Sequence, residues 1–320
     1  MRVFVTGVSG FVGHHLAAFL AAEQPKAELF GAVRQGEERA LVPPGVRALE
    51  ADLTDYFSVE AALEAARPDR VVHLAAQSSV QQSWVDPAGT LRINVHGLLN
   101  LLEGLRRLKQ SPRVLVVGSA DEYGAADPRR LPLTEDAPLL PSSPYAVSKV
   151  AQGFLALQYA LAHGMGIVRT RTFPHTGPGR GEQFAEASFA RQIAQIEAGM
   201  RPPQLEVGNL DAVRDFSDVR DVVRAYWLLI EKGSPGEVYN VCSGRGVRIR
   251  ELLARLLALS SVAAELRTDP ARLRPVDIPE LVGSNARLRE ATGWDPRFAL
   301  DDTLRDLLED WRRRTREGRE

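Results

Sequence analysis

The chain has 320 residues, a net charge of −1, one cysteine, 44% apolar residues and 25% charged residues. That balance suits a soluble globular chain of about two domains. It gives no electrostatic basis for binding nucleic acid or an anionic membrane, the single thiol of Cys242 excludes an internal disulfide, and no apolar run is long enough to span a bilayer.

The first predicted element is a strand over Arg2–Thr6. No charged and apolar leader precedes it, and with one thiol a cytoplasmic setting is expected. β-branched runs recur at Leu29–Val33, Val46–Leu49, Arg70–Leu74, Arg113–Val117 and Gly166–Thr170. Amphipathic stretches at Phe11–Ala22, Ser58–Ala66, Thr90–Leu108 and Pro144–His163 separate them. The alternation predicts βαβ units and an α/β fold with a doubly wound, Rossmann-type parallel sheet. From Pro174 to Gly181 proline and glycine cluster and the alternation breaks. Beyond it the pattern predicts helices over Glu186–Ala198, Val219–Glu231, Val247–Leu259 and Arg305–Arg314, and strands over Leu205–Val207 and Val238–Val241. Residues 1–173, with returns near 215–241 and 282–291, are expected to form a Rossmann domain binding NAD(P). Residues 174–214, 242–281 and 292–320 are expected to form a smaller, interleaved C-terminal substrate domain.

Gly7, Gly10 and Gly13 fall between the first strand and the first helix, with Ser9, Phe11 and Val12 among them. Glycines there allow a tight turn and let a dinucleotide pyrophosphate approach the helix N-terminus. The second strand ends in Val33-Arg34, with Arg39 nearby. An acidic residue at that place binds the ribose 2′-OH of NAD, and an arginine pairs with the 2′-phosphate of NADP. NADP is therefore the expected cofactor, with NAD second. Asp52-Leu53 follows the third strand; Asp52 suits the adenine edge and a helix N-cap equally. The fourth strand ends His73-Leu74-Ala75-Ala76, whose small residues let a cofactor cross the strand ends, and His73 reads as structural.

The fifth strand delivers Ser119 at its C-terminal end, where open α/β sheets place their chemistry. Pro144 suits the first turn of a helix, so Tyr145 and Lys149 share one helical face. The chain has only four lysines, which makes this spacing informative. A free phenol titrates near 10. Lys149, with a positive nicotinamide ring, is expected to lower that value and ready Tyr145 for proton transfer.

Taken together, Gly7-x-x-Gly10-x-x-Gly13, Asp52-Leu53, His73-Leu-Ala-Ala76, Asn94, Ser119 and Tyr145-x-x-x-Lys149 resemble the extended short-chain dehydrogenase/reductase family. The runs Arg171–Arg180, Val207–Asp221 and Leu273–Gly283 resemble its nucleotide-sugar branch acting on GDP-mannose derivatives. The resemblance covers nearly the whole chain. It implies a catalytic set of Ser119, Tyr145 and Lys149, with Lys149 also anchoring the nicotinamide ribose and His175 near the cofactor. It implies Pro174, Arg180, Arg214, Arg274 and Asp277 on the substrate side, together with Ser119. Arginine suits a diphosphate because its planar fork donates paired hydrogen bonds. Pro174 departs from the family's asparagine and removes an amide contact. No metal is expected. The family pairs the helices over residues 90–108 and 144–163 across a dimer, so a homodimer is implied.

The implied reaction is reduction of the C4 keto group of a GDP-4-keto-6-deoxy sugar, giving a GDP-6-deoxyhexose such as GDP-rhamnose. The alternative is a GDP-mannose 4,6-dehydratase, or another dehydratase or epimerase using the same three residues. A dehydratase also needs an acid and a base just after the serine, where this chain has Ala120 and Asp121. Alanine moves no proton, and aspartate is one methylene shorter than the family's glutamate. Asp121 stays a catalytic candidate on that account. Glu122 is expected to point elsewhere.

Overall fold

The structure, a computed structural model, describes residues 1–34, 41–272, 276 and 278–318. Arg39, Arg274 and Asp277 lie outside the described residues. In chain order the first half comprises β1 (Arg2–Thr6), α1 (Phe11–Glu23), β2 (Glu28–Val33), β3 (Val46–Glu50), α2 (Tyr56–Ala66), β4 (Arg70–His73), α3 (Val80–Val85), α4 (Pro87–Leu91), a π-helical turn (Arg92–His96), α5 (Gly97–Arg107), β5 (Arg113–Ser119), a 3-10 turn (Ala120–Tyr123), α6 (Pro144–His163) and β6 (Ile167–Thr172). The second half comprises β7 (His175–Thr176), α7 (Ala185–Glu197), β8 (Gln204–Val207), β9 (Val213–Asp215), β10 (Ser217–Asp218), α8 (Val219–Lys232), β11 (Val238–Val241), β12 (Gly246–Arg248), α9 (Ile249–Ala258), β13 (Glu265–Thr268), β14 (Glu280–Leu281), α10 (Ala286–Thr292) and α11 (Leu300–Glu317).

Seven strands form one sheet in the order β11-β6-β5-β4-β1-β2-β3. Every pairing in it is parallel. The central strands are buried on both faces, so they read as continuous apolar runs such as Val3-Phe4-Val5. On one face Leu16 and Leu20 of α1 meet Val223, Trp227 and Ile230 of α8. On the other, Leu63 of α2, Leu98, Leu101 and Leu105 of α5 and Ala156 of α6 close the core. Strand order reverses between β1 and β4, which leaves a crevice beyond their C-terminal ends. A separate apolar cluster joins Ile193, Leu205, Leu253, Leu256, Leu307 and Trp311 from the second half.

Three predicted helices differ from the structure, one of them α11, which runs over Leu300–Glu317 where Arg305–Arg314 was expected. Residues 90–108 are not one helix: α4 gives way to the π turn before α5 begins. A π turn inserts an extra residue into the ladder, and such turns gather at functional sites. Val247 belongs to β12, where it faces Arg214 of β9 in an antiparallel pair, and α9 starts at Ile249. Strands of two or three residues carry too little alternation to show in the sequence, which is why β7, β9, β10, β12 and β14 went unpredicted.

Candidate active site

A cleft of about 1530 Å3 opens over the C-terminal ends of the strands. That exceeds the roughly 300–1,000 Å3 of a one-ligand pocket, so two ligands have room. All the expected site residues within the described chain line it.

At one end, the chain between β1 and α1 is folded tightly enough to cradle a pyrophosphate. Gly10 N–H donates to Gly7 O at 3.1 Å. Gly7 has a φ of +72°, and a Cβ there would stand 2.8 Å from the Ala75 backbone nitrogen. A Cβ on Gly13 would stand 2.4 Å from Gly7 O and 2.5 Å from Val8 O. The missing side chains leave backbone N–H groups at the α1 N-terminus open to an anion. These residues therefore fit a dinucleotide.

Arg34 is exposed at the end of β2 and lines the same cleft. Asp52 is committed in part to its own turn, since Oδ1 accepts from Thr54 N–H and Thr54 Oγ1, each at 2.8 Å. Arg34→Glu is expected to lower the preference for NADPH over NADH by about 10–100-fold. That is the worth of a hydrogen bond to a charged group, about 1.5–3 kcal/mol. The ratio of kcat/KM for the two cofactors measures it; an unchanged ratio would remove Arg34 from the site.

Asn94 ties the segment after β4 to α6. It sits fully buried in the π turn. Its Oδ1 accepts from Gln77 N–H at 2.8 Å, and its Nδ2 donates to Ser148 Oγ at 2.8 Å and to Gln77 O at 3.1 Å. Ser148 Oγ in turn donates to Tyr145 O at 2.6 Å. This fixes the rotation of α6 and therefore the direction of Tyr145 and Lys149. Ser143 caps α6 by accepting from Ala146 N–H, and Pro144 occupies its first turn.

Ser119 ends β5 opposite Thr172 of β6. Its hydroxyl stands near enough to the Tyr145 phenol to pull the phenol's pKa down, and it accepts from Asp121 N–H at 3.2 Å. Lys149 Nζ donates to Val117 O and Gln152 Oε1, each at 2.9 Å. Burial lowers its ammonium to about 8, so it is mostly charged at neutral pH. The phenol of Tyr145 departs from expectation. Burial, followed by the charge of Asp121, raises its pKa well above the ordinary value, although Ser119 and Arg180 act the other way. Desolvation of the phenolate outweighs nearby cations. Tyr145 thus carries its proton at neutral pH, the state a proton donor needs.

The 3-10 turn sends its two acids in opposite directions. Asp121 lines the cleft. Glu122 is buried beneath it, with Oε2 accepting from Arg171 Nε at 3.0 Å. His73 is structural: Nδ1 shares a 2.9 Å hydrogen bond with Thr6 Oγ1, and burial lowers its pKa to about 3. His175 is likewise neutral, lowered to about 3 by burial, and it stacks on Phe11 at 6.1 Å.

On the substrate side, Arg180 is held over the Phe184 ring, 3.3 Å from its centroid, and 3.4 Å from Glu186. It also lies over Phe11 of the glycine turn, so it stands at the junction of the two halves. Arg214 Nη1 donates to Val213 O at 2.9 Å. Among the cleft residues missed from the sequence, three stand out. Tyr226 of α8 hydrogen-bonds Thr172 Oγ1 at 2.8 Å. Arg272 donates to Ser188 Oγ at 2.9 Å, and Trp84 stands at the rim. Arg272 lay one residue before a motif that had been singled out; Tyr226 looked like one more apolar position of an amphipathic helix.

Chemically, this cleft can hold a dinucleotide beside a hydroxyl pair that grips one oxygen and delivers a proton to it. The class of protein built this way on this sheet is the extended short-chain dehydrogenase/reductase, in its nucleotide-sugar branch. A family model described as GDP-mannose 4,6 dehydratase matches residues 4–307, and the chain belongs to that family. It is 42% identical over 316 residues to GDP-6-deoxy-D-mannose reductase of Pseudomonas aeruginosa, covering 99% of each chain. Among solved structures it is similar to RMD from Pseudomonas aeruginosa complexed with NADPH, with a TM-score of 0.85, 39% identity, and 98% and 100% of the two chains covered. It is also similar to UDP-glucose 4-epimerase of Thermus thermophilus in complex with NAD, with a TM-score of 0.86, 31% identity, and 98% and 99% covered.

Proposed function

We propose that the chain uses NADPH to reduce the C4 keto group of a GDP-4-keto-6-deoxy sugar, GDP-4-keto-6-deoxymannose being the first candidate. The observation that carries this reading is the protonated Tyr145 sharing the cleft with Ser119, with Ala120 next in line. The Gly7–Gly13 turn, Arg34, Ala75, Ala76 and Lys149 would hold the cofactor, which supplies hydride. Ser119 and Tyr145 grip the C4 oxygen, and Tyr145 gives it a proton as the carbonyl becomes an alcohol. Arg180, Arg214 and Arg272 serve the diphosphate end. Elimination of the C6 hydroxyl has no group to assist it at Ala120. Asp121, which lines the cleft beside Tyr145, favours the dehydratase alternative, as does the description of the matching family model. Incubation with GDP-mannose and NADP, followed by product analysis, separates the two: no keto sugar is expected, and its formation would favour elimination.

The same reading assigns residues 1–173, with the returns near 215–241 and 282–291, to the cofactor, and the rest to the nucleotide sugar. It extends to a cytosolic homodimer. No helix among the described residues is long and apolar enough to cross a membrane. Along α6, Val147, Phe154 and Leu161 stand 45%, 55% and 75% exposed at intervals of seven, an outward apolar stripe suited to a second copy. The apolar face of α5, by contrast, packs on its own sheet. Sedimentation should give twice the chain mass, and Phe154→Glu should return a monomer; a wild-type monomer would dispose of the dimer. Fractionation of cells expressing the chain tests the cytosolic setting.

A further inference from the structure

We infer that Glu122 is a positioning residue for the catalytic set: a buried carboxylate that fixes the Ser119 backbone and provides the negative charge that holds Lys149 as an ammonium. The inference rests on the reading that Tyr145 and Lys149 carry the chemistry.

Geometry sets this carboxylate behind the reacting groups, out of the cleft. Oε1 accepts from Ser119 N–H at 2.9 Å, while Ser119 Oγ accepts from Asp121 N–H, so the two residues brace each other across the 3-10 turn. Oε2 accepts from Arg171 Nε of β6. Gly118 makes room for it, and Gly153 places α6 within contact range of it. A Cβ on Gly118 of β5 would stand 2.5 Å from Oε1, and one on Gly153 of α6 would stand 4.0 Å from Oε2. Gly153 is one helical turn beyond Lys149, on the same face.

Behind Glu122 the support is continuous. Arg171 Nη1 donates to Tyr123 Oη at 3.1 Å and to Glu135 O at 2.7 Å. Tyr123 Oη donates to Asn240 Oδ1 at 2.7 Å, and Asn240 N–H donates to Glu135 Oε1 at 2.8 Å. A buried ion pair is a weak source of stability, because desolvation offsets most of the attraction and apolar side chains can fill the same volume. Its place directly behind Ser119 and Lys149 calls for another role.

The hydrogen-bond acceptors of Lys149 Nζ, Val117 O and Gln152 Oε1, are both neutral. The titratable groups around it are His73 from β4, Tyr145 one turn earlier on α6, and Glu122 from the turn. His73 and Tyr145 are uncharged at neutral pH, the phenol held so by burial and by the charge of Asp121 against the pull of Arg180. Burial pulls the Lys149 ammonium down, and Glu122 pushes the other way. Burial raises the pKa of Glu122 and Arg171 acts against it; both carboxyl oxygens accept hydrogen bonds, from Ser119 N–H and from the Arg171 guanidinium, the pattern of a carboxylate.

The test compares wild type with Glu122→Gln, which keeps an acceptor for Ser119 N–H and loses only the charge. The double variant Glu122→Gln/Arg171→Gln also removes the cation left unpaired, so a folding failure of the single variant does not end the test. NADPH binding is followed by fluorescence from neutral to alkaline pH. Wild-type affinity should fall as pH rises through about 8, when Lys149 loses the proton it offers the ribose. Without the Glu122 charge that midpoint should move to lower pH by about one unit. An unshifted midpoint in both variants, or a wild type with no midpoint, overturns the inference and leaves Glu122 a structural residue. Failure of the reductase reading shows differently: the wild type would bind NADPH yet leave it unoxidised in the presence of the keto sugar.

Discussion

Tyr145→Phe is expected to lower kcat for keto-sugar reduction by about 10²–10⁴-fold, the range for losing a general acid, while NADPH binding is unchanged. The ring would still fill its place on α6, where Tyr145 is only 9% exposed. What disappears is the O–H that Ser119 aligns and that burial keeps protonated. No neighbour can take over that proton transfer. Asp121 acts on the phenol as a negative charge, not as a source of protons. Tyr226 shares its hydroxyl with Thr172. Steady-state kcat and a fluorescence titration of NADPH measure the two halves of the expectation. Near-normal turnover would exclude Tyr145 as donor, and a lost affinity would mean the substitution had damaged the cofactor site instead.

Gly13→Ala is expected to weaken NADPH binding on the order of 10²-fold or more, equivalent to losing one or two hydrogen bonds to charged phosphate at about 1.5–3 kcal/mol each. The added methyl would meet the backbone oxygens of Gly7 and Val8 at 2.4 and 2.5 Å. Backbone cannot swing aside as a side chain can, so the turn must move away from the α1 N-terminus and its N–H groups cease to converge. Gly10→Ala supplies the graded comparison, because its Cβ would stand 3.3 Å from Gly7 O, a contact relieved by a few tenths of an ångström. Isothermal titration of both variants checks the order. Equal losses would mean that the turn does not cradle the pyrophosphate.

The parallel sheet was legible because β1, β2, β4 and β5 carry apolar or β-branched runs and helix-length amphipathic stretches follow β1, β3, β4 and β5. Helix α6 matched its predicted bounds since Ser143, Pro144 and Gly164 mark both ends in the sequence itself. The residues of the cleft were legible for the same reason: they sit where strands end. Their physical state was not. The pKa of Tyr145 rises because tertiary packing removes water from the phenol, and no spacing along the chain reports that. Glu122 was expected to turn away as an alternate residue of an extended segment. It does turn away, but because it sits in a 3-10 turn and finds Arg171, a partner 49 residues on. Asn94 was recognised as a motif residue, yet its link to Ser148 across 54 residues needed the fold.

The central claim is that the chain performs net reduction at C4, and deuterium transfer tests it most directly. Purified protein is given GDP-4-keto-6-deoxymannose and NADPH labelled with deuterium at the nicotinamide C4, and the sugar is examined by NMR and mass spectrometry. The account predicts NADPH consumed in step with keto sugar and one deuterium at the sugar C4 in a GDP-6-deoxyhexose. Unconsumed NADPH with the keto sugar intact, from protein that binds the cofactor, would contradict it.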